Sequence, residues 1–137
     1  MDTLTPAERS ALMAKVKGKD TRPEILVRRI AHAIGYRFRL HRKDLPGRPD
    51  LAFISLRKVI LVNGCFWHAH KGCAGFRLPK SNREFWKDKL LGNRSRDRRT
   101  LAALRKAGWD TLVIWECETR DHEALAGKIS AFLTDQR

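Results

Sequence analysis

Four residues of the chain carry the donor atoms of a closed metal site. Cys65, His70 and Cys73 form a Cys-x4-His-x2-Cys pattern, and Cys117 follows a run that reads as a strand. Three thiolates and one imidazole suit tetrahedral zinc with no open position, which makes such a site structural. His68 competes with His70 for the same place, and spacing does not choose between them. The plainer alternative is that Cys65 and Cys117 are small buried apolar side chains. With three cysteines in all, a disulfide framework is disfavoured.

A second centre is acidic. Asp50 follows the stiff turn Leu45-Pro46-Gly47-Arg48-Pro49 and opens a strand, and the next strand ends at Val62-Asn63-Gly64. Carboxylates at neighbouring strand ends can share a hard cation such as magnesium. A cation there can activate water and stabilise the charge on a scissile phosphate. Glu24 could join from a helix beside the sheet, although it is equally explained as the capping partner of Thr21.

Between the candidate metal ligands lie Phe66 and Trp67, adjacent in a segment that reads as a loop, and a tight loop cannot turn both rings into a core. One use for such a pair is a wedge between base pairs; the other is packing over the metal. Lys89 and Asn93, four residues apart, share a helix face and can read base edges, as well as being simply solvated. Arg94, Arg96, Arg98 and Arg99 suit phosphates better than bases. The charge supports a polyanionic partner: 29 Lys and Arg oppose 15 Asp and Glu, a formal net charge of +14 in 137 residues. Neutralising phosphates releases counterions, so nucleic acid is the expected ligand. No apolar run has the length of a membrane span and the N-terminus has no signal-peptide core, which leads us to expect a cytoplasmic protein.

The elements that must position these groups follow from periodicity. Thr5-Pro6 opens a short basic helix through Met13 to about Lys17. Thr21 and Glu24 open a second, with an apolar stripe of Ile25, Leu26, Ile30, Ala31 and Ile34 and a stop at Gly35. Alternation over 36–41 reads as a half-buried strand, Asp50 to Ile54 as another, and the apolar run Val59 to Val62 as a central strand. Ser81 with Glu84 starts a helix through Trp86 and Leu90, and a further helix runs from near Asn93 to Lys106. A strand over 111–115 and an amphipathic helix over 121–134, with Leu125, Ile129, Phe132 and Leu133 inward, complete the chain. We expect one α/β (α+β) domain over 1–137, a mixed sheet flanked by helices.

Taken together, Leu45-Pro46-Gly47-Arg48-Pro49-Asp50, Asn63-Gly64-Cys65-Phe66-Trp67-His68, Glu84-Phe85-Trp86, Arg96-Asp97-Arg98-Arg99, Gly108-Trp109 and Trp115-Glu116-Cys117 closely resemble the very-short-patch-repair (Vsr) DNA mismatch endonucleases. The resemblance implies a restriction-endonuclease-like fold with a variant of the PD-(D/E)xK site. It implies a magnesium-dependent nick 5′ of the thymine in T:G mismatches left by 5-methylcytosine deamination. Asp50 matches the magnesium-bridging aspartate, and Val62 the position that offers a main-chain carbonyl to that metal. His68 matches a general base and Asp97 the carboxylate that orients it, which leaves His70 with Cys65, Cys73 and Cys117 on zinc. Glu24 matches an acid near a second metal. Phe66, Trp67 and Trp86 fall with the DNA-contacting aromatics, Met13 is a wedge from an N-terminal DNA-contacting helix within 1–20, and Lys89 and Asn93 match mismatch-reading positions.

Two departures stand out. Asn63 occupies a position where the best-known family member has histidine, and asparagine can hydrogen-bond a phosphate oxygen but cannot shuttle a proton. The interval from His70 to Cys73 is one residue longer than the family pattern. Partners implied are mismatched duplex DNA and, at the nucleoid, mismatch-repair proteins, with the single basic face expected of a monomer. A zinc-stabilised mismatch-binding protein without catalysis, and a broader restriction or defence nuclease, are the other functions this scaffold could serve.

Overall fold

A computed structural model describes residues 21–70, 73 and 78–135. The expected N-terminal helix, with Met13, lies outside the described residues. Helix α1 (Arg22–Ile34) begins on the expected capping box: Thr21 accepts the Glu24 N–H, and the Glu24 side chain accepts the Thr21 N–H. Gly35 ends it in the left-handed region at φ 103°. Strands β1 (Arg39–Leu40), β2 (Leu51–Phe53), β3 (Lys58–Asn63) and β4 (Asp110–Trp115) form one sheet in that order. The first two pairings are antiparallel and β3–β4 is parallel. A parallel neighbour requires a crossover, supplied here by helix α2 (Arg83–Lys106). Helix α3 (His122–Thr134) closes the chain after a 3-10 turn at Glu116–Arg120.

Helices cover both faces. Val27 and Ala31 of α1 and Leu125, Ile129 and Leu133 of α3 pack with Leu51, Phe53, Ile60 and Ile114. On the opposite face Ala52 and Val59 pack with Leu104 and Trp109. Successive strand residues thus enter opposite cores, which is why β3 reads as an unbroken apolar run. Its first residue is a buried lysine, whose ammonium donates to Phe132 O at 2.5 Å and to Asp135 O. That cation satisfies carbonyls at the α3 C-terminus, where no helical N–H can reach.

Three local expectations needed correction. The two helices expected over 81–106 are one 24-residue helix running through Gly92. Trp86, Leu90 and Leu104 are buried along it, and that burial carries it across a glycine costing about 1 kcal/mol relative to alanine. The Ser81–Glu84 capping box is not used: Asn82 is the N-cap, left-handed at φ 54°, with no side-chain cap bond. The strand over 36–41 is paired only at Arg39–Leu40, because β2 ends at Phe53 and turns into a 3-10 segment, Ile54–Leu56. Tyr36 and Phe38 instead pack edge-on against Phe53, at centroid distances of 6.5 and 5.8 Å.

Candidate active site and metal centre

Asp50 is positioned by its own turn. Gly47 has φ 72°, and a Cβ there would lie 2.2 Å from Thr100 Cγ2, so the turn can press against α2 only with glycine. Pro49 is fully buried, and the Asp50 carboxylate accepts the Val62 N–H at 2.6 Å. This bond ties the turn to the end of β3.

The register of β1 on β2, Arg39 opposite Ala52 and Leu40 opposite Leu51, continues to set His41 beside Asp50. The His41 N–H donates to Asp50 O at 3.5 Å, and its Nδ1 lies 3.8 Å from Asp50 Oδ1. His41 Nε2 is 3.5 Å from Glu24 Oε1 and 3.2 Å from Arg28 Nη2. Donor atoms of Glu24, His41 and Asp50 all lie within 4.8 Å of one another. Sequence reading missed His41. The signal was available in the alternation of 36–41, but the pairing that sets it opposite Asp50 is a tertiary fact.

Glu24 divides its carboxylate between the two readings the sequence left open. Oε2 accepts from the Thr21 N–H at 3.1 Å and hydroxyl at 2.8 Å, completing the cap. Oε1 is buried, accepts no hydrogen bond, and faces Arg28 at 3.6 Å as well as His41. Burial pushes the Asp50 carboxyl up to about 7, the Glu24 carboxylate adding in the same direction against the Val62 N–H and the Arg28 charge. Two crowded carboxylates, one with an orphaned buried oxygen, form a donor set that suits a hard divalent cation.

The loop from Gly64 to His70 separates the two histidines. His68 Nδ1 is 2.6 Å from Asp97 Oδ2. A carboxylate only accepts there, so Nδ1 carries the hydrogen and Nε2 is the basic nitrogen. His70 joins the other cluster: Cys65, His70, Cys73 and Cys117 bring one donor atom each within 4.8 Å of the rest. The extra residue between His70 and Cys73 does not prevent that convergence. His70 also stacks on Trp115, with centroids 4.0 Å apart and planes within 5°. Burial pushes the Cys65 thiol up to about 12, with the Cys117 N–H at 3.4 Å from its sulfur opposing the rise. A bound metal cation would supply the counter-charge such a buried thiolate needs.

Asp50, His68, Asp97, Glu24, His41 and Asn63 line one cleft of about 1000 Å³. Val62, Phe66 and Trp67 border it too. Phe66, Trp67 and Trp86 form a cluster with centroids 5.2 to 6.1 Å apart. Lys89 Nζ lies over Trp67 and Trp86 at 5.8 and 5.7 Å. The Asn93 amide donates to Trp67 O at 2.9 Å. The structure therefore places Lys89 and Asn93 against the aromatic loop. Among the described residues, no helix is long and apolar enough to cross a membrane.

Comparison with known proteins places the chain in a family. Residues 1–74 match the family model of DNA mismatch endonuclease Vsr. The chain is 52% identical over 132 residues to the type II nicking enzyme V.XorIIP of Xanthomonas oryzae pv. oryzae, covering 96% of each chain. It is 39% identical to the DNA mismatch endonuclease Vsr of Escherichia coli, covering 90% of this chain and 79% of that one. The type II nicking enzyme V.NmeAIP of Neisseria meningitidis is 38% identical, over 88% of this chain and 85% of its own.

Proposed function

This chain belongs to the Vsr family of DNA mismatch endonucleases and is a DNA endonuclease, and from that premise we propose that it nicks duplex DNA 5′ of the thymine in a T:G mismatch, using magnesium. The observation that carries the reading is one cleft holding the Asp50 carboxylate, the hydrogen-bonded His68–Asp97 pair and the Phe66–Trp67 edge. Relatives named as nicking enzymes support cutting of a single strand.

Asp50 and the Val62 carbonyl would hold magnesium, with Glu24 close by. When bound, the cation supplies positive charge for the scissile phosphate and lowers the pKa of nearby water. His68 Nε2 accepts the proton of the attacking water, while Asp97 fixes the ring and stabilises the imidazolium that forms. Asn63 donates to a phosphate oxygen. Phe66, Trp67 and Trp86 offer faces for unstacked bases, and Lys89 and Asn93 hold that loop at the mismatch. Met13 adds a wedge from the N-terminal segment.

The four soft donors would hold structural zinc. Phe66, Trp67 and His68 lie between the ligands Cys65 and His70, so closing that loop on a metal fixes all three at once. The protein would act in the cytoplasm, on the nucleoid, as a monomer, with mismatch-repair proteins as further partners.

A nicking assay on duplexes differing only by T:G or T:A at one position, with and without magnesium, tests this. Cutting of T:G alone, and only with magnesium, is expected. Equal cutting of both duplexes would remove the mismatch specificity, and magnesium-independent cutting would remove the proposed cofactor.

A further inference from the structure

We propose that His41 completes, with Glu24 and Asp50, a divalent-cation site of mixed nitrogen and oxygen donors that binds manganese(II) more tightly than magnesium. The proposal rests on the reading of Asp50 as a metal ligand and adds to it a residue and a preference among cations.

Two donors bound side by side to one cation at about 2.1–2.2 Å lie roughly 3.0–3.6 Å apart. His41 Nε2 and Glu24 Oε1, 3.5 Å apart, fall within that range; Asp50 Oδ1 faces the ring's other nitrogen, Nδ1, at 3.8 Å, so its carboxylate must shift slightly to share a cation with Nε2. The three side chains come from three different elements, yet their donor atoms converge within 4.8 Å.

Glu24 also has an oxygen left for a cation. The residue is 3% exposed, its Oε2 is committed to the Thr21 cap, and Oε1 accepts no hydrogen bond. A buried carboxylate oxygen left so is costly unless a cation reaches it. Arg28, at 3.6 Å, supplies positive charge there without a hydrogen bond to that oxygen.

The contact with Arg28 identifies the ring nitrogen able to bind a cation. Arg28 Nη2 lies 3.2 Å from His41 Nε2, and a guanidinium can only donate. Nε2 therefore carries the ring's lone pair, which Arg28 engages in this structure and which a bound cation would take over as Arg28 gives way. The backbone holds the ring there: His41 has φ 48°, a left-handed conformation uncommon for a non-glycine residue, and its N–H is tied to Asp50 O. Imidazole suits transition cations, whereas magnesium prefers carboxylate, carbonyl and water oxygens. A site of two carboxylates alone would show little such preference.

The test uses the full-length, zinc-replete protein without DNA. Manganese(II) binding is followed by loss of the free-ion electron paramagnetic resonance signal, and magnesium by its competition. Wild type should bind manganese at least tenfold more tightly than magnesium, and pulsed spectra of bound manganese should show imidazole-nitrogen modulation. His41→Gln should lose the modulation and about tenfold or more in manganese affinity while magnesium affinity stays within about twofold. Absence of nitrogen modulation in wild type, which needs no variant to fold, would overturn the assignment of His41. So would equal weakening of both cations in His41→Gln. Should Asp50→Asn retain wild-type affinity for both ions, the reading of Asp50 itself would fail, a result separable from failure at His41.

Discussion

At the scale of single residues, the site is governed by what each polar atom is already doing. Glu24 spends one oxygen on a helix cap and turns the other toward His41 and Arg28. Asp50 is held in a crowded, largely buried position whose carboxyl is pushed up to about 7. Because the folded-state value lies above the ordinary 3.8, the stabilising contribution of this group is complete below that ordinary value and is lost as pH rises through about 7. Asp50→Asn should therefore abolish nicking yet melt higher than wild type in magnesium-free buffer at pH 8, by about 1–2 kcal/mol. The gap should shrink as pH falls below 6. Thermal melts of both proteins across pH 5–8 check this, and a gap constant with pH would contradict it. For the His68–Asp97 pair, His68→Ala should lower the single-turnover nicking rate by about 10²–10⁴-fold with DNA affinity within a few-fold. Asp97→Asn should lower it in the same direction, since the amide can present a donor to Nδ1 and favour the wrong tautomer.

At the scale of elements, the single helix α2 explains how distant side chains meet. Trp86, Leu90, Asn93, Asp97, Thr100 and Leu104 recur at helical spacing along one face. That face buries Trp86, Leu90 and Leu104, holds the Trp67 carbonyl, orients His68 and abuts Gly47. Breaking the helix at Gly92 in the sequence hides this, because phase is lost and Asp97 no longer shares a stripe with Trp86. Gly47→Val should then cost about 2–3 kcal/mol, from the clash with Thr100 and the left-handed backbone, and should slow nicking by shifting Asp50. Urea denaturation with parallel rate measurements reads both. The strands were legible because burial patterns are local: β3 is apolar on two faces, and α3 shows its inward stripe of Leu125, Ile129 and Leu133. The capping box at Thr21 was legible for the same reason. His41 was not, since its partner is chosen by the β1–β2 register and not by neighbours in sequence. The separation of His68 from His70 likewise came from family resemblance and needed three-dimensional placement, two residues of one loop being turned to different clusters.

For the molecule as a whole, the mixed sheet with helices on both faces is the restriction-endonuclease-like architecture of the family, and the chain wraps it in a net charge of +14. Charge of this size gives affinity for any duplex and a steep fall with salt, while in the proposed function mismatch recognition falls to the aromatic edge. T:G and T:A duplexes should accordingly show the same slope of log affinity against log salt, within about one unit, and differ by a constant offset. Fluorescence anisotropy from 50 to 300 mM salt measures both; a slope that differs by several units between the duplexes would mean that phosphate contacts, not stacking, discriminate.

The central claim is a hydrolytic centre at Asp50 acting beside a stacked mismatch. Single-turnover nicking of a T:G duplex labelled on each strand, by wild type and by Asp50→Asn under magnesium with binding monitored, addresses it most directly. Wild type should cut only the thymine strand, on the 5′ side of the mismatched base, and Asp50→Asn should bind the duplex within a few-fold yet leave it intact. Nicking by Asp50→Asn at a rate near wild type would contradict the account.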